Sequence, residues 1–115
     1  MVLRAGDLDR RIAIERFTEM RDPFNNPVKS WHELVTVWAA KTDVSDGERL
    51  AAQEVGAEIS TRFRIRWSPQ VSDIDPKDRV RFEGRIYDIA GVKETGRREG
   101  LEISAVARPE TPPEK

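Results

Sequence analysis

Alternation of apolar and polar residues along the chain predicts six short β-strands. The clearest case is TRFRIRW, residues 61–67, in which arginines of one parity alternate with Phe63, Ile65 and Trp67. Because successive side chains of a strand point to opposite faces, this segment predicts a strand with one apolar face and one basic face. The other predicted strands cover residues 11–18, 34–41, 78–84, 85–92 and 101–107.

Turn-forming residues separate the predicted strands. Residues 19–30, EMRDPFNNPVKS, contain two prolines and two asparagines and predict a hairpin loop. Residues 68–78, SPQVSDIDPKD, predict a long turn, and Glu83-Gly84 predicts a tight hairpin between strands four and five. Since the chain shows no alternation of strands with helices, we expect an all-β, mainly antiparallel barrel or sandwich.

The segment between strands two and three, about residues 43–60, interrupts the β pattern. Residues 49–54 favour a short helix, which Ser45 or Asp46 would cap and Gly56 would end. Residues 43–58 contain five acidic residues and one arginine, a local net charge of −4. We therefore expect a long, partly helical, acidic insertion in a single domain of residues 1–107. The proline-rich tail, residues 108–115, is predicted to be disordered.

Aromatic residues define the predicted core. Phe63, Trp67, Phe82 and Trp38 fall at strand positions and are expected to pack inside. Trp31 lies at a strand entrance, where the pattern does not decide between core and surface.

Composition and motifs exclude several kinds of function. A formal net charge of −1 over 115 residues lacks the global basicity of a dedicated nucleic-acid binder. The absence of cysteine excludes disulfides and thiolate sites, and His32, the only histidine, has no catalytic partner in the sequence. Asp73, Asp75 and Asp78 lack the glycine and distal glutamate of a calcium loop, which favours a turn. We expect no enzymatic activity, no metal and no cofactor.

The N-terminal segment has no apolar stretch typical of a secretory signal, and no window is long and apolar enough to cross a membrane. These features predict a protein made in the cytoplasm, with no membrane partner.

Arginines of one parity on predicted strands three and four form a candidate binding surface. If the two strands share a sheet, five arginines share its polar face: Arg62, Arg64, Arg66, Arg79 and Arg81. Like charges on adjacent strands repel, so a partner is expected. Three partners are open: Glu15 or Glu102 within the sheet, a neighbouring subunit, or a nucleic-acid backbone. An acidic insertion and a basic face on one chain favour head-to-tail self-association.

Several short fragments, in a fixed order from Leu3 to Ala107, carry a resemblance to a known family. The fragments are Ala5-Gly6-Asp7-Leu8 with Arg11, Ile12 and Ile14; Trp31; Val37-Trp38-Ala39; Gly47; Arg64-Ile65-Arg66; Asp78-Arg79-Val80; and Gly84-Arg85-Ile86-Tyr87-Asp88-Ile89 with Gly91-Val92. Their order and spacing resemble the phage head–tail joining proteins, a group that includes head–tail adaptors and head-closure or stopper proteins.

The resemblance implies a structural protein of the virion neck, the junction between head and tail. It implies a small β-barrel with a long insertion between strands two and three. It also implies a ring of six or twelve copies between the portal-bound adaptor and the tail terminator. In related stoppers the insertion points into the channel and helps to close it around packaged double-stranded DNA. The host particle is a phage, a prophage remnant or a gene transfer agent.

The resemblance assigns residues of this chain to two roles. The channel-loop candidates are Asp46, Glu48, Arg49, Leu50, Glu54 and Glu58. The candidates for contact with a neighbouring subunit or the adaptor are the five arginines named above. The alternative is a small OB- or SH3-like barrel that binds nucleic acid through the same arginines.

Overall fold

A computed structural model describes residues 5–56 and 59–108. A short 3-10 helix at Ala5–Asp7 precedes six strands and one α-helix. In chain order these are β1 (Arg10–Arg21), β2 (Pro27–Asp43), α1 (Asp46–Glu54), β3 (Thr61–Arg66), β4 (Arg79–Phe82), β5 (Arg85–Thr95) and β6 (Gly100–Ala107). The predicted tail lies, apart from Arg108, outside the described residues.

The six strands close into an antiparallel barrel with the order β1-β2-β3-β6-β5-β4. Three residue pairs between β1 and β4, Ala13–Glu15 with Arg79–Arg81, complete the closure. The prediction of an all-β antiparallel fold with a helical insertion after the second strand is confirmed, and of its two forms the barrel is the one observed. The tight hairpin at Glu83-Gly84 is also confirmed, since both residues adopt positive φ.

Inward-facing residues of the strands fill the barrel. Phe63 is fully buried, and its ring centroid lies 5.2 Å from that of Tyr87 and 6.2 Å from that of Phe82. The core positions predicted for Phe63 and Phe82 are confirmed, and Trp67 packs partly buried against the same cluster. The prediction for Trp38 is wrong, because the side chain is 50% exposed. Trp38 precedes the buried Ala39, and strand alternation therefore turns its side chain outward.

The connection between β1 and β2 is much shorter than predicted. Residues 19–21 and 27–30, expected in a loop, continue the two strands, and only residues 22–26 form the turn. Beyond the barrel wall, residues 16–21 of β1 and 27–32 of β2 pair only with each other. We call residues 16–32 the hairpin arm. The molecule measures 50 Å in its longest dimension.

The loop of residues 67–78 crosses one end of the barrel, because it joins β3 to β4, which are not neighbours in the sheet. Val71 and Ile74 of this loop are buried in the core. Its predicted aspartate-stabilised turn is confirmed: the Asp75 carboxylate accepts from the Lys77 amide at 2.8 Å, and Asp78 accepts from the Asp75 amide at 3.2 Å.

Candidate functional site

The insertion forms a short, well-capped helix. The Ser45 hydroxyl accepts a hydrogen bond from the Glu48 amide at 3.2 Å, so Ser45, rather than Asp46, is the N-cap. Acidic side chains in the first turn, Asp46 and Glu48, interact favourably with the partial positive charge of the helix N-terminus. Gly56, with φ of +77°, follows the last turn as predicted.

The helix does not pack into the barrel. None of its residues is buried; Leu50 is 62% exposed, and Val55, just beyond the helix, 82%. Its Glu48 forms an ion pair with Arg62 of β3 at 3.2 Å. The two ends of the insertion are held together by a hydrogen bond, in which the Val44 amide donates to the Ser60 carbonyl at 3.1 Å. We call residues 45–59 the insertion lobe.

Five of the six channel-loop candidates lie together on this helix, all of them exposed: Asp46, Glu48, Arg49, Leu50 and Glu54. The sixth, Glu58, lies outside the described residues. The lobe therefore offers a small mixed surface, acidic at its beginning and partly apolar around Leu50.

Replacing Ser45 with alanine is expected to loosen α1 without destabilising the barrel. The lost cap costs about 1 kcal/mol of helix stability. The helix buries no residue, and its described side-chain contact with the barrel, the ion pair of Glu48 with Arg62, is partly exposed, so little of this loss should reach the core. Hydrogen exchange of the amides of residues 46–54 should accelerate, while the global unfolding midpoint stays constant. Ser45→Asp, which retains a capping oxygen, is the matched control. A lowered global midpoint for Ser45→Ala alone would show that α1 is coupled to the barrel.

Two of the predicted surface arginines, on β3, share one carboxylate of a neighbouring strand. Arg62 and Arg64 lie 3.2 and 3.3 Å from the two carboxylate oxygens of Glu102 on β6. The contact of Arg64 is a hydrogen bond, whereas the buried Nε of Arg62 has only the ion-pair contact, without hydrogen-bond geometry.

A second, separate group surrounds the buried Glu15 of β1. Arg79 donates to one carboxylate oxygen at 2.7 Å, and Arg81 lies 3.4 Å from the other. The Arg79 guanidinium also lies over the Trp31 ring, 4.0 Å from its centroid, a favourable cation–π geometry. Glu15 therefore binds the two β4 arginines at the point where the barrel closes.

The two arginine groups do not form one face. Strands β3 and β4 are separated by two strands in either direction around the barrel, so the expectation of a shared basic surface is wrong. Glu15 and Glu102, the partners considered within the sheet, each contact two arginines, so four of the five arginines have a carboxylate partner in the same sheet. Arg66 is exposed and has no ion pair among residues 5–56 and 59–108.

Arg16 connects the loop of residues 67–78 to β1. Its guanidinium donates to both carboxylate oxygens of Asp78 at 3.0 Å and to Asp73 at 3.0 Å. These hydrogen bonds raise the pKa of Arg16 and lower the pKa of Asp73. The sequence analysis assigned no role to Arg16. Its position could have indicated one, because Arg16 follows Ile12 and Ile14 at the alternate positions of the strand that are otherwise apolar.

A surface groove of about 600 Å³ lies beside β2, which sequence reasoning did not predict. We call it the Trp38 groove; its lining residues are Leu8, Thr36, Val37, Trp38, Arg66 and Ser68. The Arg11 guanidinium lies 5.0 Å from the Trp38 ring centroid. The groove thus combines an exposed indole, aliphatic walls and the guanidinium of Arg66, and a second guanidinium, that of Arg11, lies over the indole.

His32 is exposed, and its Nδ1 lies 3.5 Å from the Thr18 hydroxyl. Within the described part of the chain, no three histidine, cysteine or acidic residues are grouped so that they could hold a metal ion. No described helix is long and apolar enough to cross a membrane.

Comparison with known proteins places this barrel in a family. A family model described as phage head completion protein matches residues 3–108. No curated protein matches the chain. The solution structure of protein SF1141 from Shigella flexneri 2a is 25% identical, with a TM-score of 0.77, covering 95% of this chain and all of that one.

A chain in the virion of a native gene transfer agent particle shares the fold, with 20% identity and a TM-score of 0.54 over 85% of this chain and 92% of that one. The family match agrees with the resemblance found in the sequence and indicates a structural role in the phage head. The chain therefore belongs to the phage head completion protein family.

Proposed function

We propose that this chain forms a ring in the virion neck, below the portal-bound adaptor, and that its insertion lobe points into the channel and helps to retain packaged DNA. The tail terminator would dock on the side of the ring away from the head. The observation that carries this proposal is the insertion lobe itself: a capped helix with no buried residue, standing on a closed barrel.

The construction of the lobe suits a channel gate. An ordered helix that the barrel does not bury has surface free for other molecules, and copies of it in a ring would converge on the axis. Asp46, Glu48 and Glu54 repel the phosphate backbone, so the lobes would obstruct the channel without binding DNA tightly. Such a gate retains DNA mechanically and lets it slide past on ejection.

Related virion proteins support the location. The gene transfer agent chain described above is a virion component with the same fold. By this likeness and the family match, we infer that the present chain is assembled into a phage or gene transfer agent particle after its synthesis in the bacterial cytoplasm.

We propose Arg66 as the principal arginine of the ring interface. Arg66 and Arg81 are the two exposed arginines of the five, and Arg66 alone has no ion pair among the described residues. Arg62, Arg64, Arg79 and Arg81 lie next to carboxylates of the same barrel. These carboxylate contacts also weaken the alternative of a nucleic-acid-binding barrel, because they compete with phosphates for the same guanidinium groups. Charge reversal at Arg66 should therefore impair neck assembly while the monomer remains folded.

The proposal is tested by complementing a deletion of the gene in its own genome. Particles from the deletion should be tailless heads that leak DNA, seen by electron microscopy and a nuclease-protection assay. A second variant replaces residues 45–59 with a short glycine-serine linker. Because the Val44 amide and the Ser60 carbonyl are hydrogen-bonded, this linker need not stretch the barrel. The controls are complementation with the wild type and with Lys93→Ser, a substitution at an exposed position of β5.

The deletion tests whether the chain belongs to the neck, and the linker variant tests whether its insertion lobe retains DNA there. We expect the linker variant to enter the neck and to leave the DNA accessible to nuclease. If it protects DNA as well as the wild type does, the gating role of the insertion lobe is wrong. If the deletion yields tailed particles with protected DNA, the neck assignment itself is wrong.

A further inference from the structure

The tip of the hairpin arm presents an apolar surface that the chain leaves exposed. Phe24 is 84% exposed, Met20 63% and Val28 44%. Met20 and Val28 are directly opposite each other in the strand register, so their side chains share one face of the arm beside the turn that carries Phe24. Exposed apolar clusters of this kind are typical of interaction surfaces.

The turn at the tip is held in a defined conformation although the Phe24 ring is exposed. The Asp22 carboxylate accepts from the amides of Phe24 and Asn26 at 2.9 and 2.8 Å, and the Arg21 guanidinium donates to the Asn25 carbonyl at 3.1 Å. A tip ordered before contact loses little conformational entropy on docking. The arm is therefore built to present Phe24 to a partner.

The Trp38 groove is a concave counterpart to this tip. Its half-exposed indole, with Leu8 and Val37, forms an apolar surface, and a volume of about 600 Å³ is ample for a phenyl ring with a neighbouring side chain. Hot spots of binding interfaces typically lie in well-packed pockets from which water is excluded, and a large aromatic side chain can fill such a pocket.

An arm cannot reach the groove of its own chain. From Pro27 at the arm's turn to Trp38 the chain follows β2 for eleven residues, about 36 Å at roughly 3.3 Å per residue. One chain thus carries a projecting apolar tip and a separate apolar groove. Two different complementary patches generate head-to-tail contacts, which close into a ring when the rotation between subunits permits.

From these observations we propose that the arm tip of one copy inserts into the Trp38 groove of the next copy, with Phe24 as the anchor. This inference rests on the proposed ring and specifies the contact that holds it together. The occupant of the groove is a second copy of this chain.

Charge at the two patches favours the same contact. Arg66 at the groove has no ion pair among the residues the structure describes, and neither does Glu19 next to the arm tip. Lys29 is opposite Glu19 in the strand register, but its ammonium lies over the Phe17 ring, 5.8 Å from the ring centroid. Glu19 can therefore pair with Arg66 of the next copy.

Cysteine crosslinking tests the contact without background, because the natural chain has no cysteine. One full-length chain carries Pro23→Cys, at an exposed position next to Phe24 that leaves the anchor in place, and another carries Ser68→Cys in the groove wall. The two are mixed at high protein concentration and oxidised mildly. We expect a mixed disulfide dimer, identified by mass, that is lost when Trp38→Ala is added to the groove chain. Lys93→Cys, exposed on β5 across the barrel, replaces Ser68→Cys as the matched control and should give none.

Self-association of the unmodified chain gives a second measurement. Phe24→Ala should weaken it roughly ten- to hundredfold in sedimentation experiments, the factor expected when one buried phenyl ring is removed. Phe24 lies outside the barrel, so this variant should keep the unfolding midpoint of the wild type. Unchanged self-association in Phe24→Ala would overturn the anchor role.

The same cysteine pair, expressed in particles, separates this inference from the proposed neck function. Chains located at the neck, with no crosslink between positions 23 and 68 in particles or in solution, overturn the arm contact and leave the neck position standing. A crosslink between two Pro23→Cys chains only, or from Pro23→Cys to a different virion protein, also overturns it. Binding of an oligonucleotide would overturn the arm contact as well, if it depends on salt, blocks the disulfide and is lost in Trp38→Ala. The groove would then bind nucleic acid.

Discussion

Replacing Arg16 with alanine is expected to lower the free energy of unfolding by about 3–5 kcal/mol, the usual cost of breaking a buried ion pair from one side. The Asp78 side chain is only 2% exposed, and Arg16 donates to both of its carboxylate oxygens. Without the guanidinium, Asp78 remains buried as a charge with one backbone donor, the Asp75 amide. The loop that covers the barrel end should then open.

Urea unfolding of the two proteins gives the difference directly, and Arg10→Ala is the matched control. Arg10 lies on the same strand, but its ion pair with Asp9 is exposed on both sides, so its loss should cost less than about 1 kcal/mol. Equal effects of the two substitutions would contradict the special role of Arg16. Exchange of amides in residues 67–78 should accelerate in Arg16→Ala first, because this loop is what Arg16 holds.

The contact of Arg16 with this loop can also be followed through the pKa of the Asp73 carboxyl. The hydrogen bond from Arg16 lowers this pKa below the ordinary value of 3.8. A carboxyl whose pKa is depressed by folding stabilises the native state above its unfolded pKa, and this contribution is lost as the pH falls through the folded pKa. An NMR titration should show the depressed pKa in the wild type and its return towards 3.8 in Arg16→Gln.

Local features of the fold were predictable because neighbouring residues determine them. The period-two alternation of Phe63 and Ile65 with arginines located β3, Ser45 and Gly56 bounded the helix, and the aspartates of residues 73–78 indicated their own turn. Each of these signals acts within a few residues, so no knowledge of the strand order was needed.

Features that depend on strand order could not be predicted in the same way. The division of the arginines into two groups follows from the placement of β3 and β4 on different sides of the barrel. The outward direction of Trp38 depends on its register, which a continuous apolar run does not reveal. The hairpin arm was missed because the prolines and asparagines of residues 19–30 suggested a loop, whereas Pro27 begins a strand with an unpaired edge.

Glu15→Ala should have the second-largest effect on stability, about 3 kcal/mol, because Glu15 binds two arginines where the barrel closes. Only three residue pairs join β1 to β4, and Glu15 with Arg79 is one of them. The Glu15 side chain is 7% exposed and that of Arg79 16%, so the truncation leaves a nearly buried guanidinium without its carboxylate. The lost contact is therefore both a buried ion pair and part of the closure.

Glu102→Ala on β6 is the matched comparison, since it also removes a carboxylate that bridges two arginines. The Glu102 side chain is 22% exposed, and the β3–β6 ladder around it has six residue pairs, so its loss should cost about 1 kcal/mol. A double-mutant cycle of Glu15→Ala with Arg79→Ala measures the coupling itself. If Glu15→Ala lowers the free energy of unfolding no more than Glu102→Ala does, or if the coupling energy is zero, closure of the barrel depends on the backbone pairs and the packed core. The arginines of β4 would then be free to serve an interface.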